Sequence, residues 1–187
     1  MEATQCLRDE HQTILRVLSC LEAALKEARA TGTVDTALFT DFIEFFRGYA
    51  DKCHHCKEED QLFPKMEAGG IPREGGPIGV MLTEHQEGRR LVGKLDELLP
   101  EAAAGNERAF NSFIEHGTEY LNMLRNHIDK EDHCLFGMAD QVVQGQQLVQ
   151  LTNSYAEVEQ MPDYCQRLER CKAIARDLCA KYEVPLI

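Results

Sequence analysis

The chain reads as all-α: an antiparallel up-down-up-down four-helix bundle over residues 1–142, then a C-terminal helical extension over residues 143–187. Three observations carry this. Apolar residues recur at steps of three and four over long stretches, the period of a helix with one buried face. Glycine and proline, which break such stretches, gather in a few places. The chain also repeats itself. His54–Pro64 lies over His127–Gly137 at an offset of 73 positions, matching in the leading His, the Lys, the first Glu, a second acid and the Leu-Phe pair. Glu10-His11-Gln12 matches Glu84-His85-Gln86 at an offset of 74. Two copies of one helical hairpin, related by a pseudo-twofold, account for both matches.

The first helix is expected from Thr4 to Ala30, with Leu7, His11, Ile14, Leu18, Leu21 and Leu25 on one stripe. Thr31-Gly32-Thr33 ends it, and Asp35 or Thr36 then offers a side-chain oxygen to cap the second. That helix carries Phe39, Ile43, Phe46, Ala50, His54, Glu58 and Leu62 inward and is expected to stop before Pro64. A glycine- and proline-rich loop follows between Glu67 and Val80. The third helix, Pro77 to Leu99, turns Met81, His85, Val92, Leu95 and Leu99 inward. The fourth, Glu107 to Ala139, does the same with Phe113, Tyr120, Leu124, His127, Glu131 and Leu135. Beyond Gln144 the repeat is gone, and two helical stretches broken near Met161-Pro162-Asp163 form a cap or a partner-binding tail.

At 187 residues the chain is long enough to bury a core without staples. A formal charge of −12 with no basic run argues against nucleic acid and anionic membrane surfaces as partners. The opening Met-Glu-Ala-Thr-Gln-Cys lacks a basic, apolar leader, and no window suits a membrane span, so a cytoplasmic protein is expected. In that compartment the eight cysteines stay reduced, and the lone Cys53-x2-Cys56 pair lacks the partners of a zinc site.

The repeated residues are of metal-binding type. Residues four apart lie one turn apart on one helix face, so His54 with Glu58, and His127 with Glu131, can address one cation or two adjacent ones. Both pairs fall on the apolar stripe, where a carboxylate costs several kcal/mol unless it is paired or coordinates a metal. No Lys or Arg falls on those stripes to pair with it. His11 and His85 add one imidazole each, 43 and 42 residues before His54 and His127. Four imidazoles and two carboxylates suit a pair of iron or manganese ions, with zinc also compatible. Two carboxylates and an oxo or hydroxo bridge would balance the charge of two irons.

The pattern of a lone His, His-x3-Glu-Glu-x2-Leu-Phe-Pro, a second lone His and His-x3-Glu resembles the hemerythrin-like (HHE cation-binding) family over roughly residues 4–140. The glycine-rich approach to Glu84-His85 is similar to bacterial members. The resemblance implies a four-helix bundle around a non-haem di-iron centre held by His11, His54, Glu58, His85, His127 and Glu131. It implies a small oxidant as ligand: O2, peroxide or nitric oxide. Oxygen-carrying members use a fifth His one turn from the one on the third helix. Here Met81 and Arg89 occupy those positions, which favours members linked to iron sensing, stress or peroxide chemistry.

Other residues are expected nearer the edge of the site. His55 aligns with Ile128, which places it about 100° round the helix from His54, as a packing residue before a ligand or hydrogen-bonding one. Glu59 and Asp132 recur as second acids that can hydrogen-bond a ligand or a neighbouring helix, with a solvated helix face the commoner fate. Glu10 and Glu84 recur before the lone histidines. Tyr120 and Gly88 are candidates to line a ligand pocket, and Arg89 to steer an anion or pair with a carboxylate. His116 lies too far up its helix to reach the centre, and His133 is expected to be exposed. The same centre would serve an enzyme that reduces an oxidant or a sensor that signals to a protein partner through the C-terminal helices.

Overall fold

A computed structural model describes residues 4–185, and these are all-helical, with no strand among them. The expectations that touch residues 1–3 and 186–187 lie outside the described residues. Helix α1 spans Gln5–Thr31 and ends at Gly32, whose φ of 69° is the left-handed conformation that glycine adopts without a Cβ clash. Asp35 caps α2 (Thr36–Phe45), its carboxylate accepting from the Leu38 amide at 3.1 Å. The helix then widens through Phe46–His55, and again through Glu58–Leu62, before α3 (Phe63–Ala68). Pro64 does not stop it. The proline falls in the first turn of α3, where a missing N–H costs little.

Helix α4 (Pro77–Ala103) follows the glycine-rich loop and runs past Pro100. Asn106 caps α5 (Glu107–Lys130), accepting from Ala109 at 3.0 Å. The chain widens once more over Glu131–Leu135 and continues as α6 (Phe136–Val142). Helices α7 (Gln146–Glu159) and α8 (Pro162–Lys181) complete the order, broken at Gln160–Met161. Every inward residue expected on the first four helical stretches is buried.

The core is two apolar clusters. The larger runs from Ile14 through Ala50 and Leu91 to Ile128, and α8 adds Cys171, Ile174, Ala175, Leu178 and Cys179 to it. That helix is therefore part of the main core. It approaches closely at Gly48, where a Cβ would sit 2.5 Å from the Cys171 sulfur. The smaller cluster gathers Leu7, Leu62, Phe63, Met66, Ile78, Met81, Leu135 and Phe136, with Leu151 and Tyr155 of α7. No described helix is long and apolar enough to cross a membrane. All eight cysteines are free thiols.

Candidate metal centre

Between the two apolar clusters lies a polar layer. Along α1 the sequence passes from Leu7 in the smaller cluster through His11 to Ile14 in the larger, and α4 passes from Met81 through His85 to Leu91. The layer holds His11, His54, His55, Glu58, His85, His127 and Glu131, all buried.

The widened segments are π-helical. The amides of Cys56, Phe63 and Phe136 each bond the carbonyl five residues back, at Asp51, Glu58 and Glu131. Such turns hold more residues per turn than the α-helix, so adjacent side chains diverge by less than the usual 100° or so. This corrects the expectation for His55. The wide turn swings it toward the centre beside His54, and its ring stacks on His85 with centroids 3.9 Å apart. The corresponding Ile128 sits on an α-helical turn and packs in the larger cluster.

The inner faces of the four aligned histidines converge. His11 and His54 bring their Nε2 atoms within 2.9 Å, and His85 and His127 theirs within 3.1 Å. Each carboxylate reaches histidines of both hairpins. Glu131 lies 3.2 Å from His11 Nε2 and 3.3 Å from His127 Nε2. Glu58 lies 3.4 Å from His85 Nε2 and 3.6 Å from His54 Nε2. These approaches lack hydrogen-bond alignment, and all four carboxylate oxygens are buried without a hydrogen-bond partner.

The outer faces are held by carboxylates in the same pseudo-twofold pattern. His54 Nδ1 meets Glu10 and His127 Nδ1 meets Glu84, both at 2.9 Å. His11 Nδ1 meets Asp132 at 2.8 Å and His85 Nδ1 meets Glu59 at 2.7 Å. The second acids thus cross between hairpins, the hydrogen-bonding role that the sequence set beside a solvated face. An imidazole that donates from Nδ1 to a carboxylate keeps its Nε2 lone pair for the centre. Arg89 braces Glu59 at 2.8 Å and pairs with Asp51 at 2.7 Å, while Arg8 Nη1 donates to the Asp132 carbonyl at 2.6 Å.

Electrostatics match a site built for cations. Burial, then repulsion from Glu131, drives the Glu58 carboxyl well above the usual range. Burial acts the same way on Glu131, but His127 and His11 outweigh it and hold that carboxyl low. Burial lowers His54 and His55, the latter to about 3. Unpartnered carboxylate oxygens facing imidazole nitrogens fit bound metal by donor chemistry. Two overlapping donor groups form: His11, His54, Glu58 and Glu131, and His55, Glu58, His85 and His127, with Glu58 common to both.

A cavity of about 1070 Å³ opens to one side of this layer. His55, His85 and His127 line it, with Tyr120, Gly88 and Met123 among its walls. Tyr120 is buried, its ring edge-on to Phe46 at 4.8 Å, as a lining residue would be. His116 pairs with Glu119 away from the centre, and His133 is 77% exposed. Sequence reasoning missed Lys57 altogether. It is 1% exposed, donates to Glu10 at 2.6 Å and to Glu159 of α7, and lies against the rings of Tyr155 and Tyr164. Its repeat partner Lys130 also bonds Glu84 but is 43% exposed. The only sequence signal was the shared Lys of the repeat.

Comparison with known proteins agrees with this geometry. The family model described as Hemerythrin HHE cation binding domain matches residues 2–139. An uncharacterized protein of Mycobacterium tuberculosis is 22% identical over 157 residues, covering 84% of this chain and 61% of its own length. The iron-sulfur cluster repair protein DnrN of Neisseria gonorrhoeae is 34% identical over 88 residues, 44% of this chain and 54% of its own. The iron-sulfur cluster repair protein YtfE of Salmonella paratyphi B is 33% identical over 92 residues, 46% and 40% of the two chains. The chain thus spans about three-fifths or less of the length of these relatives. No solved structure matches it.

Proposed function

The chain belongs to the hemerythrin HHE cation binding domain family, and on that premise we propose that it is a non-haem di-iron protein that binds or reduces a small oxidant. The oxidant is O2, peroxide or nitric oxide, and the fold around the centre is an up-down-up-down four-helix bundle. His11, His54, His85 and His127 with Glu58 and Glu131 would hold the ions. The observation that carries this is the pair of fully buried carboxylates whose four oxygens find no hydrogen bond yet face imidazole nitrogens from both hairpins. Iron, when bound, supplies the redox chemistry.

The chain's own residues do the rest. Glu10, Glu84, Glu59 and Asp132 fix the four imidazoles by their Nδ1 atoms and so aim each Nε2 inward. Phe63 and Phe136 pack against the layer from the smaller cluster, stacking near His85 and His11 and keeping water from that side. The cavity beside His85 and His127 admits the oxidant past apolar walls. Iron handling under oxidative or nitrosative conditions is a setting that suits the cluster-repair names of the Neisseria and Salmonella relatives.

One observation favours a second reading, in which metal occupancy is signalled through the C-terminal helices. His54, Glu10, Lys57 and Glu159 form an unbroken chain of contacts from the centre to α7. Iron-loaded and metal-free protein compared by limited proteolysis after Gln144, alongside peroxide and nitric oxide turnover, separates the two. Turnover without a change in protection favours the enzyme, and iron-dependent protection without turnover favours the sensor. Metal analysis with an optical spectrum under argon and then air tests the di-iron reading beneath both.

A further inference from the structure

His55 differs from every other imidazole of the layer. It is 5% exposed, and neither of its ring nitrogens has a hydrogen-bond partner. The four aligned histidines each have a carboxylate on Nδ1, whereas the nearest carboxylate oxygen to His55 Nδ1, on Asp51, stands off at 3.8 Å. A buried imidazole left without partners is unfavourable unless something else uses its lone pair. A nitrogen of His55, one each of His85 and His127, and an oxygen of Glu58 lie within 4.8 Å of one another. The same three histidines line the cavity, and His11 and His54 do not.

We propose that His55 is a fifth imidazole ligand, which joins His85, His127 and Glu58 at the cavity-side metal position and makes the two positions inequivalent. The inference rests on the two-metal reading above. Helix α4 has no second histidine one turn from His85, where Met81 and Arg89 stand. The fifth imidazole comes instead from a π-helical turn of the second helical stretch, next in sequence to His54. The repeat encodes the asymmetry: the position holds His55 in one copy and Ile128 in the other. Three imidazoles then serve the position open to the oxidant, and two serve the position sealed behind it.

Cobalt(II) titration of the metal-free full chain under argon tests this. Visible absorption reads occupancy, and paramagnetically shifted imidazole N–H resonances count the histidine ligands. The wild type is expected to bind two ions in distinguishable steps and to show five such resonances. His55→Ala should lose one resonance and weaken one step by about tenfold or more, the scale set by losses of mere ligand-orienting partners, leaving the other step intact. Imidazole added to His55→Gly should restore the lost step, because the cavity gives it entry, and so separates lost ligation from misfolding. Two ions bound with four resonances, and unchanged steps in His55→Ala, would overturn the assignment of His55 and leave the two-metal reading standing. Fewer than two ions in the wild type would overturn that reading, and the assignment with it.

Discussion

The buried Lys57 and the partly buried Glu10 form an ion pair, Nζ to Oε1 at 2.6 Å, one contact out from His54 in the polar layer. Burial disfavours the lysine charge, but Glu10 and Glu159 outweigh it and hold the Lys57 pKa above its ordinary value. Breaking such a pair strands the partner charge, so Lys57→Met should destabilise the protein by about 3 kcal/mol. Lys130→Met removes the repeat partner, which is 43% exposed, and should cost about 1 kcal/mol or less. Urea unfolding of both variants checks this. Equal losses would mean that α7 and α8 do not set the difference.

Removing inner and outer carboxylates should have different effects. Glu58→Gln and Glu131→Gln should abolish binding of at least one ion. Glu59→Gln and Asp132→Asn should weaken binding about 10- to 100-fold and retain stoichiometry. Isothermal titration under argon distinguishes these, and comparable losses at all four positions would show that the ligand register is wrong.

The same Glu58→Gln change should leave the metal-free protein as stable as the wild type or more so. Its carboxyl is held above the usual range by burial and by Glu131, so the ionised form is a burden at neutral pH when no cation is present. Thermal unfolding of metal-free protein at pH 7.5 reads the effect. A clear loss of stability would count against a carboxylate without partners.

Glu59 predicts an acid limb. Burial works against its charge, but hydrogen bonds from His85 and Arg89 outweigh it and bring its pKa from 4.5 to about 2. The folded value lies below the unfolded one, so this stabilisation is full above about pH 4.5 and is lost as pH falls toward 2. Metal-free wild type should therefore lose stability across that window more steeply than Glu59→Gln. Parallel urea midpoints between pH 5 and pH 3 would remove the His85–Glu59–Arg89 contact from the account.

Gly88 sits where α4 meets the cavity wall, and a Cβ there would lie 3.2 Å from the Met123 methyl and 3.7 Å from Tyr120. Gly88→Val should narrow the approach to His85 and slow nitric oxide binding severalfold at unchanged metal content. Stopped-flow absorbance measures it, and an unchanged rate would point to a different entrance.

Much of this was legible in the letters. The inward stripes of the long helices follow from apolar periodicity, and all their residues are buried. Four histidines and two glutamates that recur in register do come together in one layer. The outer carboxylates were legible only as repetition, because Glu59 and Asp132 act across hairpins that sequence cannot juxtapose. His55 ranked first as a packing residue because periodicity assumes α-helical turns, and the widening at Phe46–His55 leaves no mark in the spacing of apolar residues. Lys57 was invisible because a lysine beside two acids reads as a solvated face until α7 and α8 cover it.

Iron-57 Mössbauer spectroscopy of protein reconstituted with iron(II) under argon, with iron counted per chain before and after air, tests the two-metal centre at its root. The expected result is about two irons per chain that become a magnetically coupled ferric pair on oxidation, with coupling lost in Glu58→Gln. One iron per chain, or two that stay magnetically independent, would contradict it.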